Sequence, residues 1–466
     1  MSLLTEIPYR ADSARLFAPL ASRPWACFLD SGRLLGSGGR YDLLAADPFM
    51  TLSTRGARTE VRDCRGVRLS PRDPFALLRE HLQPAKAVSH PAGLPFRGGA
   101  IGWFGYDLGR RLERLPMLAR DAEGIPDMAI GLYDWAVVVD HAERRAWLTG
   151  SGRDPRTARR WPALVRQFSP PTGLDVGPVR QPLRLAGPVR SNMTRADYRR
   201  AFERVHRYIT DGDCYQVNLA QRFAAPARGD PWPLYLALRE HSPAPFSAYL
   251  ATPFARVLSA SPERFLKVGG GKVETWPIKG TRPRGATPAQ DAELARGLAA
   301  SPKDRAENLM IVDLLRNDLG RVCRPGSVRV PSLFSVETYA AVHHLVSTVA
   351  GDLAAGQDAL SLLRACFPGG SITGAPKIRA MEIIEALEPH RRGLYCGAIG
   401  YIGFDGAMDT NIAIRTLVEG GGSVRFWAGG GIVHDSDPDQ EYQETFDKAA
   451  PFLRLLEGAR LAGVGQ

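Results

Sequence analysis

The stretch TRADYRRAFERVHRYITDGDCYQVNLAQRF, residues 194–223, passes from one hydrophobic periodicity to another and thereby indicates the fold class. Thr194 and Asp197 have the spacing of a capping box, in its acidic variant, which opens a helix. The apolar residues that follow recur at near-helical spacing, at Tyr198, Phe202, Val205 and Ile209. Gly212 marks the end of this helix, and residues 214–223 then alternate as a strand does.

The rest of the chain mixes strands and helices without a regular β–α–β rhythm. Ahead of a Pro/Gly-rich stretch, short alternating segments predict antiparallel strands, among them 99–106 and 136–140. After it, the patterns predict helices at 304–321, 377–387 and 437–456 and strands at 397–404 and 411–418. This mixture predicts an α+β fold with antiparallel sheets. We divide the chain into an amino-terminal region (1–165), a Pro/Gly-rich connection (166–192) and a carboxyl-terminal region (193–457).

The composition excludes several classes of protein. With 466 residues, 44% hydrophobic and 23% charged, the chain is neither largely disordered nor fibrous nor a disulfide-rich mini-protein. Lys and Arg outnumber Asp and Glu by 60 to 49, which gives a net charge of +11. Only seven of the basic residues are lysine, and the arginines are scattered rather than clustered. Because nucleic-acid binding concentrates basic residues on one face, we expect a diffusely charged surface instead.

The cysteines and the amino terminus bear on the compartment. The six cysteines are widely separated and form no CxxC pair, which argues against a zinc site and a disulfide framework. The amino terminus lacks the apolar core of a signal peptide. No apolar stretch approaches the roughly 20 residues that span a bilayer. We therefore expect a cytoplasmic protein that is not embedded in a membrane.

A glycine-rich loop, FPGGSITGAPK at 367–377, runs into a predicted helix. Exposed N–H groups at a helix amino terminus bind anions. The loop is not a Walker A motif, because Gly374 is followed by Ala and Pro rather than by Lys and Ser or Thr. It therefore suits a carboxylate better than a nucleotide, with a purely structural turn as the alternative.

Acidic residues near the carboxyl terminus suggest a metal site. The calcium-loop pattern that begins at Asp435 fails, because Gln440 and Phe446 replace the required Gly and Glu. Glu441 and Glu444 lie three residues apart and share one face of the predicted helix. With a third carboxylate from another helix they could bind Mg²⁺, a hard ion that binds few protein oxygens. The alternative is an ordinary solvated helix face.

Lys279, in the segment WPIKGTRPR, is the most informative single residue. In a chain this rich in arginine, a lysine between Ile and Gly suggests a function that guanidinium cannot perform. Desolvation or the nearby Arg282 and Arg284 would lower the pKa of a lysine and make it a nucleophile. A surface charge is the alternative.

Two further residue types fit acid–base chemistry. Glu263, in SASPERFL, lies among small and apolar residues, which raise the pKa of a carboxyl and suit a general acid. An exposed Glu is the alternative. His343 and His344 are adjacent, so they point in different directions and we expect at most one to enter a site.

Together these segments resemble the chorismate-utilising enzymes. The matching stretches are GDCYQVNLAQRF (212–223), SASPERFL (259–266), PIKGTRPRG (277–285), AENLMIVDLLRNDLGRV (306–322), HHLVSTV (343–349), FPGGSITGAPKIRAMEIIE (367–385), YCGAIGYI (395–402), MDTNIAIRTL (408–417), and AGGGIV with EYQETFDKA (428–449). The amino-terminal stretch FRGGAIGWFGYDLGRRLERLP (96–116) resembles the branch that forms aminodeoxychorismate. The resemblance implies an α+β fold like that of anthranilate synthase component I, with two facing, mostly antiparallel β-sheets flanked by helices. It also implies that the two sequence regions interleave in one structural unit.

Lys279 separates the branches of this family. Anthranilate synthases usually have Ala in the PIxGT motif, whereas aminodeoxychorismate synthases have Lys, as here. The resemblance thus implies conversion of chorismate and ammonia to 4-amino-4-deoxychorismate, the precursor of 4-aminobenzoate and folate. An anthranilate synthase large subunit, in the tryptophan pathway, is the main alternative. A non-catalytic protein that binds nucleic acid is a remote one.

The resemblance also implies roles for individual residues. Lys279 would attack C2 of chorismate, Glu263 would protonate the departing C4 hydroxyl, and His344 would be a further active-site residue. Mg²⁺ would bind Glu307, Glu441 and Glu444. The expected substrate-binding residues are Gly280, Thr281, Ser371, Thr373, Gly374, Tyr395, Arg415, Gly431 and Lys448.

Two partners follow from the same resemblance. Family members take ammonia from a glutamine amidotransferase, and no second domain of that kind is evident in the chain, so we expect a separate partner subunit. The segment FLDSG (28–32) resembles the strand that forms a tryptophan pocket in relatives, with Ser31 and Tyr41 as candidate contacts. A plain core strand explains that segment equally well.

Overall fold

The structure is a computed structural model that describes residues 3–32, 34, 38–83, 93–169, 181–339 and 342–461. Its strands are β1 (Leu4–Ile7), β2 (Ala26–Asp30), β3 (Tyr41–Ala45), β4 (Met50–Arg55), β5 (Arg58–Asp63), β6 (Gly66–Ser70), β7 (Gly99–Phe104), β8 (Met128–Tyr133), β9 (Trp135–Asp140), β10 (Arg145–Gly150), β11 (Arg184–Leu185), β12 (Arg190–Ser191), β13 (Gln216–Arg228), β14 (Phe246–Ala251), β15 (Arg256–Ser261), β16 (Arg264–Gly269), β17 (Lys272–Thr275), β18 (Ile278–Pro283), β19 (Arg329–Thr338), β20 (Val342–Asp352), β21 (Gly374–Ala375), β22 (Ala398–Gly403), β23 (Met408–Ile412), β24 (Thr416–Gly420) and β25 (Ser423–Ile432). Its α-helices are α1 (Ala14–Phe17), α2 (Pro74–His81), α3 (Pro155–Phe168), α4 (Arg195–Thr210), α5 (Trp232–His241), α6 (Pro288–Ala300), α7 (Pro302–Gly320), α8 (Ala359–Cys366), α9 (Lys377–Leu387) and α10 (Pro438–Leu461). None of these helices is both long and apolar enough to cross a membrane.

The strands form two antiparallel sheets. The first runs in the order β1-β10-β9-β3-β2-β14-β15-β24-β25-β13-β11, and β12 and β21 also pair with β13. The second runs β18-β20-β17-β16-β23-β22-β7-β8-β4-β5-β6, and β19 pairs with β20. Apolar side chains from both sheets form one shared core, which includes Leu43, Val138 and Val257 of the first sheet and Trp103 and Ile399 of the second. The two sheets therefore face each other across this core.

The two sequence regions share both sheets. In the first sheet β2 of the amino-terminal region pairs with β14 of the carboxyl-terminal region, Phe28 opposite Tyr249. In the second sheet β7 pairs with β22, Trp103 opposite Ile399. The boundary set at residue 165 falls inside α3, and residues 170–180 of the Pro/Gly-rich connection lie outside the described residues.

Local sequence signals account for several elements. At the start of α4, the Thr194 side chain accepts from the backbone N–H of Asp197, and the Asp197 side chain accepts from the N–H of Thr194. The capping box is thus complete, and both donors would otherwise lack a partner. Helix α9 covers the predicted residues 377–387, and strand β22 falls within 397–404.

One predicted strand is wrong in an instructive way. Residues 411–418 form not one strand but the end of β23 and the start of β24, and these belong to different sheets. Between them Arg415 takes a left-handed conformation with φ of 47°. A β pattern cannot continue through such a residue, so the chain leaves the second sheet and enters the first.

An aromatic cluster fixes the outer face of the first sheet. The ring of Phe28 lies 5.3 Å from that of Phe17 and 6.2 Å from that of Tyr235, and its side chain is fully buried. Such packing joins α1 and α5 to β2. Phe28→Ala would leave a cavity among rings that cannot close on it.

We expect Phe28→Ala to lower the free energy of unfolding by about 3–5 kcal/mol, since a buried aromatic ring is lost. Urea denaturation monitored by circular dichroism measures the change. Leu236→Ala, on the exposed side of α5, serves as the control, because Leu236 is 37% exposed and should change stability by less than about 1 kcal/mol. Equal effects of the two substitutions would contradict this account of the core.

Candidate active site

A single large cavity, of about 1500 Å³, brings together most of the predicted site residues. Both sheets and helices α7 and α10 contribute to its lining. The predicted residues that line it are Glu263, Lys279, Gly280, Thr281, Glu307, His344, Ser371, Tyr395, Arg415, Gly431, Glu441, Glu444 and Lys448. These residues come from positions 263 to 448 of the chain, so only the fold makes them neighbours.

Lys279 lies on β18, and its half-buried side chain enters the cavity. Its Nζ donates to the backbone carbonyl of Ser371 at 3.0 Å. Burial lowers the pKa of Lys279, although the carboxylates of Glu307 and Glu263 work in the opposite direction. A lysine with a lowered pKa loses its proton more readily and gains a free electron pair. The expected neighbours Arg282 and Arg284 do not cause this shift, because they pair with Asp304 and Asp291.

Glu263 lies in the short link between β15 and β16 and is 5% exposed. Burial raises its pKa to about 7, while a hydrogen bond from the Ser371 side chain and the charge of Lys279 lower it. A carboxyl with this pKa is protonated in a large fraction of molecules near neutral pH, as a general acid must be. Ser371 thus contacts both ionisable groups, through its carbonyl and its hydroxyl.

Only one of the two adjacent histidines lines the cavity. His344 on β20 is buried, and its Nδ1 lies 2.9 Å from Oγ1 of Thr281. Burial and the charge of Arg415 lower the pKa of His344 to about 3, so the imidazole is neutral. His343 points the other way, with its Nε2 2.9 Å from Asp291. The expectation that at most one of them enters the site therefore holds.

Arg415 is an unpaired cation at the cavity. Its side chain has no hydrogen bond or ion pair with any other described residue, and burial alone lowers its pKa. A guanidinium in this setting requires an anion, and a carboxylate matches its two parallel donors. Tyr395 also lines the cavity, its ring stacked on Trp427 at 5.9 Å.

Three carboxylates form the acidic side of the cavity. Glu307 lies on α7, and Glu441 and Glu444 lie on α10. Burial raises the pKa of Glu441 and of Glu307. Burial also acts to raise the pKa of Glu444, but the ammonium of Lys448, whose Nζ lies 2.6 Å away, together with Lys303 and Lys279, lowers that pKa on balance.

The surroundings of Glu441 leave room for a ligand. Its Oε1 accepts from the Ser436 hydroxyl at 2.7 Å, whereas its buried Oε2 has no partner among the described residues. A Cβ on Gly430 would lie 2.8 Å from this Oε2, so glycine keeps that space open. Within the described ranges, no three His, Cys, Asp or Glu side chains lie together as a group that could hold a metal ion by themselves. An ion that keeps most of its water or substrate ligands fits this arrangement better than an ion that takes all its ligands from the protein.

Some predicted residues lie elsewhere. Thr373 is buried with its hydroxyl bonded to the carbonyl of Gly369 at 3.0 Å, and Gly374 pairs with Val217 of β13. Neither belongs to the lining of the large cavity. Their backbone instead holds the glycine-rich loop against β13.

Ser31 and Tyr41, the candidate tryptophan contacts, are also outside the large cavity. The hydroxyl of Ser31 donates to Asp42 at 2.7 Å, and the same carboxylate binds His141 at 2.8 Å. The guanidinium of Arg40 lies over the ring of Tyr41, 4.9 Å from its centroid. Tryptophan binding by these residues stays a prediction.

Two polar residues of β13 escaped the sequence analysis. Asn218 lines the cavity and donates from Nδ2 to the carbonyl of Ser371 at 3.2 Å. Gln216 is fully buried, and neither atom of its carboxamide has a hydrogen-bond partner among the described residues. Its Nε2 would lie 2.6 Å from a Cβ on Gly431. Two polar residues on one face of an otherwise buried strand were the available signal.

The geometry agrees with comparisons to known proteins. A model of the family described as "chorismate binding enzyme" matches residues 33–454. This chain belongs to that family.

Individual relatives cover almost the whole chain. It is 50% identical to aminodeoxychorismate synthase component 1 of Klebsiella aerogenes, over 97% of this chain and 99% of that protein. It is 43% identical to anthranilate synthase component 1 of Thermus thermophilus, over 95% of each. The crystal structure of anthranilate synthase component I from Streptococcus pneumoniae superposes with a TM-score of 0.79 at 32% identity, over 89% of this chain and 92% of that one. The predicted fold class is therefore confirmed.

The raised pKa of Glu263 predicts a pH-dependent stability difference. Because its folded pKa of about 7 lies above the ordinary value of 4.5, the folded state loses stability relative to the unfolded state as pH rises from about 4.5 to about 7, and no more above that range. Glu263→Gln cannot ionise and should have a free energy of unfolding about 3 kcal/mol above wild type at pH 8, and nearly equal to it at pH 4.5. Urea denaturation at both pH values measures this. Glu143→Gln, at an exposed position, should match wild type throughout. A Glu263→Gln curve parallel to wild type would contradict the burial argument.

Proposed function

We propose that this chain converts chorismate and ammonia to 4-amino-4-deoxychorismate, the activity for which its Klebsiella relative is named. The single observation that carries the proposal is the placement of Lys279 inside the cavity, bonded to the Ser371 carbonyl and next to a Glu263 that holds its proton near pH 7. A lysine poised in this way serves as a nucleophile, and the carboxyl serves as a general acid. Together they suit a two-step displacement of a hydroxyl group.

In the first step, neutral Lys279 attacks C2 of chorismate while the C4 hydroxyl leaves. Glu263 donates its proton to that hydroxyl, which departs as water, and the ring double bonds shift towards C4. The lysine nitrogen then carries two protons and a positive charge. Glu307 and the newly ionised Glu263 stabilise this charge, since both act on Lys279 in the resting site.

In the second step, ammonia attacks C4 and the double bonds shift back. Lys279 then leaves C2 as a neutral amine, and Glu263 regains a proton from the ammonium group formed at C4. One water is released for each ammonia consumed. Arg415 and Tyr395 are the groups that we assign to the enolpyruvyl carboxylate, because an unpaired guanidinium needs that charge.

We assign a Mg²⁺ site to Glu307, Glu441 and Glu444. Carboxylate oxygens are the ligands that this ion prefers, and the unpartnered Oε2 of Glu441 needs a cation or a donor. When bound, the ion would draw electron density from the ring through the substrate's ring carboxylate. Lys448 now holds Glu444 at 2.6 Å, and on our assignment it would release that oxygen to the ion. The backbone of Gly431 lines the same part of the cavity and would offer its N–H to the ring carboxylate.

We further propose a separate glutamine amidotransferase subunit as the source of ammonia. The relative's designation as component 1 supports a partner component.

All six cysteines are free and none forms a disulfide, which is typical of a reducing compartment, so we place the reaction in the cytoplasm.

Mass spectrometry of the products tests the activity. The purified chain, incubated with chorismate, MgCl₂ and ammonium sulfate, should release 4-amino-4-deoxychorismate, which retains the enolpyruvyl group. Glutamine should replace ammonium only after a glutaminase partner is added. Anthranilate with an equivalent of pyruvate would overturn the proposal in favour of the tryptophan pathway. Release of neither product would reject both activities.

Substitution of Lys279 tests the covalent step. Lys279→Arg keeps the positive charge but cannot lose a proton, so we expect the ammonia-dependent kcat to fall at least about a thousandfold. Steady-state assays measure this loss, and thermal melting shows that the variant is folded. Lys272→Arg is a matched control, because the side chain of Lys272 is 73% exposed, and its kcat should equal that of wild type. Retention of wild-type kcat in Lys279→Arg would exclude a lysine nucleophile.

Removal of one carboxylate tests the metal assignment. Glu441→Gln should weaken Mg²⁺ binding about 10- to 100-fold, because a neutral amide replaces a charged ligand at the unpartnered oxygen. Calorimetric titration with MgCl₂ in the absence of chorismate gives the affinity directly. Glu457→Gln, on the exposed part of the same helix, should bind Mg²⁺ as wild type does. Identical affinities in all three proteins would remove Glu441 from the site.

A further inference from the structure

Arg392 is a buried cation close to the large cavity but not part of its lining. Its side chain is 1% exposed. Its Nε and NH2 donate to the two carboxylate oxygens of Glu388 at 2.9 and 2.6 Å. A buried guanidinium with a bidentate partner has one fixed orientation, because both ends of its planar fork are occupied.

The remaining donors of Arg392 reach two separate segments. NH1 donates to the carbonyl of Ile372 at 3.0 Å, and NH2 donates to the carbonyl of Asn218 at 2.9 Å. Glu388 also accepts from the backbone N–H of Ala220 at 3.0 Å. The pair therefore joins the glycine-rich loop to strand β13.

Those two segments carry the residues that hold the reacting groups. Ile372 follows Ser371, whose carbonyl accepts from Lys279 at 3.0 Å and whose side chain bonds to Glu263. Asn218 donates from its side chain to the same Ser371 carbonyl at 3.2 Å. A shift of either segment would move Ser371, and with it the separation of Lys279 and Glu263.

We infer that Arg392, with Glu388, is a positioning residue that sets the place of Ser371 and thereby aligns Lys279 and Glu263 for the reaction. The inference rests on the proposed function and names a residue that does not itself touch the substrate. A lysine at position 392 would keep the charge, but its three donors on one atom could not replace the four hydrogen bonds that the planar fork of Arg392 makes.

This role also accounts for the amino-terminal motif at 96–116. The ring of Tyr106 lies 4.9 Å from the Arg392 guanidinium, on which it packs. Asp107 accepts from the backbone N–H of Gly393 at 2.8 Å. The motif thus supports the segment that carries Arg392, although its own residues lie outside the lining of the cavity.

A double-mutant cycle tests the inference. The kcat with saturating chorismate and ammonium is measured for wild type, Arg392→Lys, Ser371→Ala and the double variant. We expect Arg392→Lys to lower kcat at least about tenfold, since small misplacements of reacting groups have effects of this size. If Arg392 acts through Ser371, adding Ser371→Ala to Arg392→Lys should lower kcat less than twofold further. A mere loss of folded protein would instead leave the two effects multiplicative.

Arg425 provides a matched control. Its side chain is 3% exposed and pairs with the buried Glu123, and none of its hydrogen bonds reaches Asn218, Ser371 or Ile372. Arg425→Lys and Ser371→Ala should have multiplicative effects on kcat. The effects of Arg392→Lys and Ser371→Ala on kcat could also prove multiplicative while the wild type is active. That result would overturn the inference and leave the proposed function intact.

Two further outcomes are decisive. Should Arg392→Lys not fold, Glu388→Gln replaces it in the cycle, since it keeps the guanidinium but weakens its orientation. Failure of both variants to fold, while Arg425→Lys folds, would show that the pair is purely structural and would overturn the inference. A wild-type chain that does not convert chorismate would overturn the proposed function first, and the inference with it.

Discussion

The partial burial of an ammonium beside carboxylates in a cavity between two sheets is the constraint on which this molecule depends. Isolated charges are costly to remove from water unless they are paired or hydrogen-bonded. Lys279 and Glu263 attract each other electrostatically, and each of them also makes a hydrogen bond with Ser371. The cost of burial therefore appears as shifted protonation, with the pKa of Lys279 lowered and that of Glu263 raised to about 7. Both shifts bring the pKa of the group towards neutrality from its ordinary value.

The same constraint explains the distribution of the other charged groups. Arg415 and Glu441 each present, towards the large cavity, a charged group with no partner among the described residues. In contrast, Arg392 and Arg425 are fully paired away from that space. The buried charges that have partners stabilise the fold, and those without a partner among the described residues are suited to binding a ligand. The distinction separates residues that hold the site from residues that act in it.

Much of the fold and the site could be predicted from the sequence, and the failures have physical reasons. The α4 capping box and helix α9 (residues 377–387) are predictable from the sequence because local hydrogen bonds and periodicity determine them. The split of 411–418 was not, because the left-handed Arg415 and the change of sheet depend on tertiary packing. Lys279 and Glu263 were recognisable from their motifs. Gln216 and Asn218 share one strand face, which the sequence shows, but their position next to the glycine-rich loop depends on tertiary packing.

The sharing of both sheets by the two sequence regions has a consequence for how the chain must acquire its structure. Strand β2 finds its neighbour β14 some 220 residues later, and β7 finds β22 about 300 residues later. Strand pairings over such sequence distances are slow to form, because the chain must lose the entropy of closing a long loop before the strands make stabilising contacts. During synthesis, the amino-terminal strands therefore emerge with open edges that can aggregate. The family's architecture thus ties catalytic competence to completion of nearly the entire polypeptide, and it makes assistance by chaperones valuable to a newly made chain.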